Sequence, residues 1–370
     1  MNILVTGAKG FIGQNLCIHL KEAGFKNIES ITRNDNGTSI DAKVKNADFI
    51  YHLAGINRPE NDEQFKEGNT DLTQKIVDIL VNNERSTPIL LTSSIQAELD
   101  NPYGISKAKA ELVIDAYGKE TGAATYIYRL PNVFGKWCKP NYNSAVATFC
   151  YNTINDLPIT VHNADASLSL VYIDDVCREF VNLVTNTPLE AKEYCLIEPV
   201  YKTTVGKVVE LLSDFKQSRN SLITNKVGEG FERVLYSTYL SYFKPEQFTY
   251  DVPSYTDDRG SFSEMLKTTD SGQFSFFTAH TGVTRGGHYH HTKNEKFLVL
   301  KGIALFKFKH IITGEEYEVN TSDNVRTIVE TVPGWTHDIT NVGTEELIVM
   351  LWANEIFDRD NPDTVAMRLK

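Results

Sequence analysis

The chain opens with Ile3-Leu4-Val5-Thr6-Gly7-Ala8-Lys9-Gly10-Phe11-Ile12-Gly13, and an amphipathic stretch follows from Ile12 to Ala23. The apolar triplet favours a short buried strand and the amphipathic stretch favours a helix. Glycines between them permit a tight turn and let backbone N–H groups approach a pyrophosphate at the positive end of that helix. The alternative is a turn of small residues without a ligand. We predict a dinucleotide-binding turn made by Gly7, Gly10, Phe11, Ile12 and Gly13.

Strands and helices continue to alternate over about the first 200 residues. The predicted strands are Ile3–Thr6, Ile28–Thr32, Phe49–Leu53 and Ile89–Ser93, and the predicted helices are Ile12–Ala23, Thr70–Asn82 and Tyr103–Thr121. Strands that alternate with helices indicate a parallel sheet covered on both faces. We therefore expect an α/β domain with a doubly wound, Rossmann-like sheet over residues 1–245.

The pattern changes near Phe243-Lys244-Pro245 and Asp251-Val252-Pro253. The predicted strands beyond that point are Phe274–Ala279, Glu295–Leu300, Ile303–Lys309, Glu316–Val319, Thr327–Val332 and Leu347–Ala353. Many short strands with almost no helical period indicate an all-β fold. We expect a second, all-β domain over residues 252–370.

Charge and cysteine usage exclude several classes of protein. The 37 Lys and Arg residues against 48 Asp and Glu give a net charge of −11, the wrong sign for a protein that binds nucleic acid through its phosphates. The 5 cysteines are far apart without a CxxC spacing, which favours reduced thiols. No leader pattern and no apolar run of about 18 residues is present. We expect a cytoplasmic protein with no membrane or nucleic-acid partner.

The residues 20 positions beyond Gly13 bear on which dinucleotide is bound. An acidic residue there would hold an unphosphorylated ribose, but the sequence has Thr32-Arg33-Asn34. An Arg can pair with a 2′-phosphate, so Arg33 predicts NADPH. Asp35 is close enough to leave NADH open, and an exposed Arg after a strand is the simpler alternative.

A second motif, Tyr103-Gly104-Ile105-Ser106-Lys107, follows the strand-end residues Thr92-Ser93-Ser94. Tyr103 and Lys107 are four residues apart, so they share one face of a helix. The ammonium can lower the phenol pKa and hold a ribose while the tyrosine exchanges a proton with a substrate oxygen. A serine hydroxyl would orient the substrate carbonyl. Alone, a YxxxK spacing also occurs by chance in exposed pairs.

The glycine turn, Phe49–Ala54, the strand-end serines and YxxxK, in this order, resemble the extended short-chain dehydrogenase/reductase family that acts on nucleotide sugars, over residues 1–240. The resemblance implies catalytic roles for Ser94, Tyr103 and Lys107, with Ser93 as the alternative serine. It also implies that Leu53 and Ala54, together with Tyr103 and Lys107, line the cofactor, and that His52 packs in the core.

Two later segments, Arg129–Gly135 and Leu170–Val176, resemble family motifs that border the nucleotide-sugar site, which makes Asn132 a substrate-binding candidate. Sugar 4,6-dehydratases of the family carry Asp-Glu directly after the catalytic hydroxyl, whereas this chain has Ile95-Gln96. The segment before Tyr103 is also unusually short. Simple carbonyl reduction is therefore the expected chemistry of this domain.

Histidines cluster between Gly282 and Glu295. His288 and His290 are two residues apart, so in a strand they share a face, while Glu295 enters from the next strand. His337, in Pro333-Gly334-Trp335-Thr336-His337, would supply a fourth ligand. Three imidazoles and one carboxylate suit Zn²⁺ or another divalent first-row metal. Surface histidines clustered by chance are the alternative.

This segment resembles the cupin family, whose G-x5-H-x-H-x4-E-x6-G pattern it fits at every position; the resemblance covers residues 252–370. Within cupins, Asp258–Glu264 and Val283–Tyr289 resemble the nucleotide 4-keto-sugar epimerases, which implies that His288 is a base and that Arg285 holds the substrate. A metal-bound His288 cannot also be that base. Either Lys296, Tyr289 or His291 moves the proton, or the metal is structural and His288 is free. We leave His280, His291 and His310 as structural or substrate-facing residues.

The order of domains and both motif sets resemble the bifunctional epimerase/reductases of bacterial capsule and O-antigen (UDP-N-acetyl-L-fucosamine) synthesis. The resemblance implies C3 epimerisation of a UDP-linked 2-acetamido-2,6-dideoxy-4-hexulose by the cupin domain. The N-terminal domain would then reduce C4 with NADPH to give the L-talose isomer, and the protein would be a homodimer. The alternatives are a reductase with a structural or dimerising cupin, and a non-enzymatic NADP(H) sensor.

Overall fold

A computed structural model of the chain describes residues 1–32, 34–185, 194–252, 254–257, 260–263, 266–268, 272–355 and 360–369. The chain divides into two units. The first comprises Met1–Phe134, Asn141–Ser144 and Leu168–Lys202, and the second comprises Gly135–Pro140, Ala145–Ser167 and Thr203–Lys370.

A five-stranded parallel sheet forms the centre of the first unit. Its strands are β1 (Asn2–Thr6), β2 (Asn27–Ile31), β3 (Phe49–His52), β4 (Ile89–Ser94) and β5 (Thr125–Leu130), in the order β2-β1-β3-β4-β5. Every residue of β3 and β4 is buried, as expected for central strands of a sheet with both faces covered.

Helices cover both faces of this sheet. They are α1 (Phe11–Glu22), α2 (Gly37–Asn46), α3 (Glu63–Phe65), which continues through a π-helical turn (Lys66–Asp71) into α4 (Leu72–Asn82), α5 (Pro102–Thr121) and α7 (Ile173–Thr185). Neighbouring residues of β3 face opposite ways: Ile50 packs in the core with Ile76 and Ile114 of α4 and α5, whereas the Tyr51 hydroxyl donates to the carbonyl of Phe180 in α7 at 2.7 Å. The sheet is therefore doubly wound.

The strand order creates a crevice at one edge of the sheet. The connection after β1 runs to β2 on one side, and the connection after β3 runs to β4 on the other. These opposite directions open a gap outside the carboxyl ends of β1 and β3, where α/β sheets bind ligands. Thr6 and His52 are register partners at those ends. A separate three-stranded sheet has the order β6-β7-β8, in which β6 (Asn132–Phe134) and β7 (Ser167–Tyr172) are parallel and β8 is Tyr201–Thr204.

The described part of the second unit contains three α-helices, a short 3-10 helix (Pro245–Gln247), two five-stranded sheets and two two-stranded sheets. The α-helices are α6 (Ala145–Ile154), α8 (Val205–Ser221) and α9 (Gly230–Leu240). The sheet orders are β10-β19-β16-β21-β14 and β18-β17-β20-β15-β22, and neighbouring strands in both sheets are antiparallel.

These sheets contain β10 (Thr249–Asp251), β14 (Gln273–Ala279), β15 (Thr284–Tyr289), β16 (Glu295–Lys301), β17 (Ile303–His310), β18 (Glu316–Ser322), β19 (Thr327–Glu330), β20 (Trp335–Asn341), β21 (Leu347–Ala353) and β22 (Val365–Ala366). Short strands β8 (Tyr201–Thr204), β9 (Ile223–Thr224), β11 (Ser254–Asp257), β12 (Gly260–Ser263) and β13 (Lys267–Thr268) complete the chain. The predicted fold class, a doubly wound parallel sheet followed by an all-β cupin jelly roll, is confirmed.

The units group α6, α8 and α9 with the strands, whereas the sequence division near residues 245–252 follows the change from helices to strands along the chain. Buried polar contacts explain this grouping. Arg219 of α8 pairs with Glu330 of β19, and the Ser237 hydroxyl of α9 donates to the carbonyl of Thr292 at 2.9 Å.

The longest helix among the described residues, α5, has 20 residues and carries several charged side chains. Within the described ranges, none of the helices has the length and apolar composition needed to cross a bilayer.

Candidate active sites of the two units

The glycine turn lies against the loop that follows β3. Gly7 has φ +70°, and a Cβ on it would lie 2.8 Å from the Ala54 nitrogen and 3.0 Å from the Leu53 carbonyl carbon. Because a side chain has no room there, the turn brings β1 directly beside Leu53 and Ala54. The Gly10 N–H donates to the Gly7 carbonyl at 2.8 Å, and α1 begins at the next residue, Phe11. The N-terminus of α1 therefore opens at the crevice, where it suits a pyrophosphate.

The ribose-binding candidate Arg33 lies outside the described residues. Its neighbour Asp35 is already engaged by local groups: its carboxylate accepts from the Thr32 N–H at 2.8 Å, from the Ser39 hydroxyl at 2.7 Å and from the Lys43 ammonium. The hydrogen bond from Lys43 is the main reason that the pKa of Asp35 lies well below its usual range. The Asp35 carboxylate is therefore already hydrogen-bonded to the Thr32 backbone and to two side chains of α2.

Ser94, Tyr103 and Lys107 lie together at the carboxyl end of β4. Tyr103 is in the first turn of α5, and the Lys107 ammonium lies 6.0 Å from the Tyr103 ring centre. Burial raises the pKa of Tyr103, and a hydrogen bond with Ser94 opposes that rise. The Lys107 ammonium also donates to the Thr92 carbonyl at 3.0 Å. The structure thus brings together all three side chains predicted to be catalytic.

The neighbouring serine faces the other way. The Ser93 hydroxyl donates to Glu111, a buried carboxylate that also pairs with Arg129 at 2.7 Å. Successive strand residues point to opposite faces of a sheet, so only one of the two serines can face Tyr103. That residue is Ser94, and its hydroxyl also accepts the Gln96 N–H at 3.1 Å.

The short segment before Tyr103 packs directly on the start of α5. The Asn101 side chain caps the helix by accepting the Gly104 N–H at 2.8 Å. A Cβ on Gly104 would lie 2.3 Å from the Gln96 carbonyl oxygen and 2.4 Å from that of Leu99. Glycine is therefore required for this close approach, which places Tyr103 next to the end of β4.

Burial shapes the electrostatics of Lys107. Desolvation lowers its pKa to about 8, and the Glu111 carboxylate, one helical turn further on, partly opposes that fall. Lys107 is therefore largely cationic at neutral pH and loses its charge in mildly alkaline solution. His52 is fully buried between Thr6 and Thr73, and desolvation lowers its pKa to about 3. A neutral His52 fits its predicted packing role.

Two residues beside this site, Asn69 and Gly55, belong to none of the sequence motifs. Asn69 lies on the π-helical turn, a type of distortion frequent at functional sites. Its amide accepts the Ile56 N–H at 2.8 Å and donates to the Ser106 hydroxyl at 2.9 Å. A Cβ on Gly55 would lie 3.1 Å from the Lys107 ammonium nitrogen. Asn69 thus connects the loop after β3 to α5, a connection visible only in three dimensions.

The two later motifs lie side by side. Asn132 begins β6 as the register partner of Leu170 in β7, and Phe134 pairs with Tyr172. Asn132 is exposed. Arg129, which begins the first motif, is anchored by Glu111 and by the Tyr194 ring at 3.8 Å, so it supports the strand.

In the second unit, His288, His290, Glu295 and His337 form one cluster. Their candidate ligand atoms all lie within 4.8 Å of one another. His288 lies on β15 and His290 directly follows that strand. Glu295 is the first residue of β16, and His337 lies on β20. The Glu295 carboxylate is 3.1 Å from Nε2 of His290 and 3.5 Å from Nε2 of His337. The structure thus brings together every predicted metal ligand.

Neighbouring groups orient these donors. Nδ1 of His290 donates to the backbone carbonyl of Asp363, so Nε2 faces the cluster with its lone pair. The Lys293 ammonium holds the other Glu295 oxygen at 3.0 Å. Three imidazoles and a carboxylate that are oriented in this way fit Zn²⁺. Neither Lys293 nor Asp363 was predicted, because neither occupies a position in the histidine motif.

The side chains considered as alternative bases occupy different places. Lys296 follows Glu295 on the same strand and therefore faces the other way, where its ammonium pairs with Glu330 at 2.5 Å and donates to the Tyr250 hydroxyl at 2.8 Å. Tyr289 lies between His288 and His290 in sequence, so its side chain points to the opposite face of the strand, where it is buried. Lys296 is therefore not part of the metal cluster.

The remaining histidine and arginine candidates differ in exposure. Nδ1 of His310 accepts the N–H groups of Ile312 and Thr313 at 3.1 Å, and burial lowers its pKa to about 4. His310 therefore closes a turn. Arg285 is exposed at the start of β15, with its guanidinium 5.1 Å from the Phe277 ring centre.

Two family models match the chain: residues 3–194 match the NAD dependent epimerase/dehydratase family, and residues 255–365 match the polysaccharide biosynthesis C-terminal domain. The first match covers more than half of the chain and includes the glycine turn and the Ser94, Tyr103 and Lys107 cluster. The chain belongs to the NAD-dependent epimerase/dehydratase family, whose members use a nicotinamide cofactor.

Among its relatives is the UDP-2-acetamido-2,6-beta-L-arabino-hexul-4-ose reductase of Pseudomonas aeruginosa, 56% identical over 99% of this chain and 98% of that protein. The crystal structure of the capsular polysaccharide assembling protein CapF from Staphylococcus aureus matches with a TM-score of 0.69 and 43% identity over 100% of both chains. The UDP-glucuronic acid 4-epimerase of Bacillus cereus, 20% identical with a TM-score of 0.52, covers 58% of this chain and 83% of its own and shares the fold.

Proposed function

We propose that this chain reduces the C4 ketone of a UDP-linked 2-acetamido-2,6-dideoxy-4-hexulose with NADPH. The observation that carries the proposal is the cluster of Ser94, Tyr103 and Lys107 at the carboxyl end of β4, at the same edge of the sheet as the glycine turn. A relative that is 56% identical over almost the whole chain is named as a UDP-hexulose reductase, which supports this substrate class.

Each catalytic side chain has a defined part in the reduction. NADPH held by the glycine turn and by Lys107 would supply a hydride for C4. Tyr103 donates its phenolic proton to the C4 oxygen, so the ketone becomes a secondary alcohol. Ser94 donates a hydrogen bond to the same oxygen and orients it. Lys107 holds its positive charge beside Tyr103 and stabilises the phenolate that remains.

NADPH is proposed over NADH on the residues after β2. Arg33 is the candidate partner of the 2′-phosphate. Asp35, the residue that would favour an unphosphorylated ribose, is bound by Thr32, Ser39 and Lys43. These hydrogen bonds occupy the carboxylate oxygens of Asp35, which are then not free to accept from a ribose hydroxyl.

The proposal extends to C3 epimerisation by the second unit before the reduction. A ketone at C4 acidifies the C3 proton, so epimerisation needs only a base and stabilisation of the enolate. A Zn²⁺ held by His288, His290, Glu295 and His337 would supply Lewis-acid stabilisation. His288 is the least buried of the four and thus the donor nearest to solvent, where a sugar would approach. His291 lies beside Tyr289, with their ring centres 5.6 Å apart, and so faces away from the ligands. With His288 not bound to the metal, His288 itself is the candidate base.

The proposed product is UDP-2-acetamido-2,6-dideoxy-L-talose, a precursor for capsule or O-antigen. The similarity to CapF and to the polysaccharide biosynthesis C-terminal domain supports this place in metabolism. By analogy with other cupins, we propose a cytoplasmic homodimer. Light scattering after size exclusion would give the mass, and a monomer at working concentration would contradict the dimer.

Deuterium exchange tests both activities at once. The purified protein is incubated with the UDP-linked 4-keto sugar in D₂O, with and without NADPH. We expect deuterium at C3 without cofactor and NADPH oxidation when cofactor is added. Tyr103→Phe should abolish NADPH oxidation and spare the exchange. His337→Ala should abolish the exchange and spare NADPH oxidation when the sugar is supplied already epimerised at C3.

The outcomes separate the competing functions. Absence of exchange in the wild type, with NADPH still consumed, would leave a reductase with a structural cupin. No NADPH consumption with any keto sugar would favour a sensor. Loss of both activities in either variant would show that the two sites are not independent.

A further inference from the structure

A carboxylate far from the histidine motif anchors the turn that follows the ligand His290. Asp363 accepts the His291 N–H at 2.8 Å with Oδ1, and with Oδ2 it accepts the N–H groups of Thr292 at 2.6 Å and of Lys293 at 2.7 Å. The Thr292 hydroxyl donates the fourth hydrogen bond to this carboxylate, to Oδ2 at 2.8 Å. Four hydrogen bonds to one half-buried carboxylate hold the turn from His291 to Lys293.

The backbone of the same residue contacts the ligand itself. The Asp363 carbonyl accepts Nδ1–H of His290, which commits that ring to the tautomer with its lone pair on Nε2, the atom that faces Glu295. Since the carboxylate fixes Asp363 to the turn, it also fixes the position of its own carbonyl. The main chain of Asp363 therefore contacts the ligand His290, while its side chain holds the turn that follows His290.

We propose that Asp363 is a positioning residue of the metal site, which sets the ring orientation of His290 and the distance between His290 and Glu295. The inference rests on the proposed metal function of this cluster. It predicts that the side chain of Asp363 contributes to metal affinity although it supplies no ligand. Outer partners of metal ligands typically contribute about 10- to 100-fold to affinity.

The surrounding contacts make this role separable from folding. The segment that carries Asp363 is also held by β22, where Ala366 pairs with His288 in β15, and by the Met367 N–H, which donates to the Gly287 carbonyl at 2.8 Å. These contacts do not use the Asp363 side chain. Substitution of that side chain should therefore loosen the turn and leave the segment in its place.

The test compares Asp363→Asn and Asp363→Ala with the wild type and with Asp165→Asn, which changes an exposed aspartate elsewhere in the same unit. Zinc affinity is measured by competition with a chromogenic chelator. The coordination geometry is measured from the visible absorption of the Co²⁺-substituted protein, a signal that a purely structural change elsewhere would not move. Thermal unfolding of the metal-free proteins checks folding.

We expect zinc affinity to fall about 10- to 100-fold in Asp363→Ala and less in Asp363→Asn, which keeps one acceptor oxygen, with an altered Co²⁺ spectrum in both. Asp165→Asn should match the wild type. Wild-type affinity and spectrum in a folded Asp363→Ala would overturn the inference. A wild type that binds no zinc would instead overturn the proposed metal function, so the two failures are distinguishable. If Asp363→Ala does not fold, the Asp363→Asn spectrum decides.

Discussion

Glu330, Lys296 and Arg219 form a buried ion cluster, and the proposed reaction does not use it. Glu330→Gln removes the carboxylate of this cluster. Glu330 pairs with Lys296 at 2.5 Å and with Arg219, and Lys296 also donates to the Tyr250 hydroxyl. Lys296 and Glu330 are each 2% exposed. The substitution keeps the shape of the side chain but leaves two cations next to a neutral amide.

The distances set the size of the effect. At 2.5 Å and an effective dielectric constant of about 20, the Lys296 and Glu330 charges attract by about 7 kcal/mol before desolvation is subtracted. Removal of one partner from a buried pair has a net cost of about 3–5 kcal/mol, because the other charge stays buried. We therefore expect Glu330→Gln to lower the free energy of unfolding by about 3–5 kcal/mol at neutral pH.

The loss should depend on pH in a defined direction. Burial alone would raise the pKa of Glu330, but Lys296 and Arg219 outweigh it and hold the pKa below its ordinary 4.5. Burial alone would lower the pKa of Lys296, but Glu330 outweighs it and holds the pKa above its ordinary 10.5. The stabilisation is thus lost in acid as Glu330 gains a proton and in base as Lys296 loses one. The wild type and the variant should differ most between pH 4.5 and pH 10.5.

Urea unfolding followed by tryptophan fluorescence measures this effect, because all 3 tryptophans, Trp137, Trp335 and Trp352, belong to the second unit. The matched control is Glu345→Gln, which breaks an exposed pair with Lys301 and should cost less than about 1 kcal/mol. Addition of Lys296→Met to Glu330→Gln should recover part of the loss, since one unpaired buried charge disappears. A loss below about 1 kcal/mol for Glu330→Gln would refute the reasoning.

Two further predictions concern the reductase site. Ser94→Ala should lower kcat about 100-fold or more, whereas Ser93→Ala, whose hydroxyl faces Glu111, should keep most of it; equal losses in steady-state assays would contradict the assignment. Glu111→Gln removes the charge that opposes the burial-driven fall in the Lys107 pKa, so the alkaline limb of the pH profile of kcat/KM, expected near 8 in the wild type, should move to lower pH. If the alkaline limb of kcat/KM stays at the same pH in Glu111→Gln, the titration of Lys107 does not determine that limb.

The elements of the first unit follow closely from sequence periodicity where the apolar pattern is strong. The predicted helix Ile12–Ala23 is observed as Phe11–Glu22, and the predicted strand Phe49–Leu53 as Phe49–His52. Helix α2 (Gly37–Asn46) was not predicted, because only Ile40 and Val44 are buried on it. Two apolar residues one turn apart are too few to establish a helical period.

The sequence by itself determined the local groups: a glycine turn after a strand, Tyr103 and Lys107 on one helix face, and His288 and His290 on one strand face. Spacing decides these because the repeats of helix and strand are fixed by the backbone. Only the tertiary structure decided which serine faces Tyr103, that Lys296 pairs with Glu330, and that Asp363 reaches His290 across 73 positions. Such contacts depend on which distant segments pack together, and packing has no period along the chain.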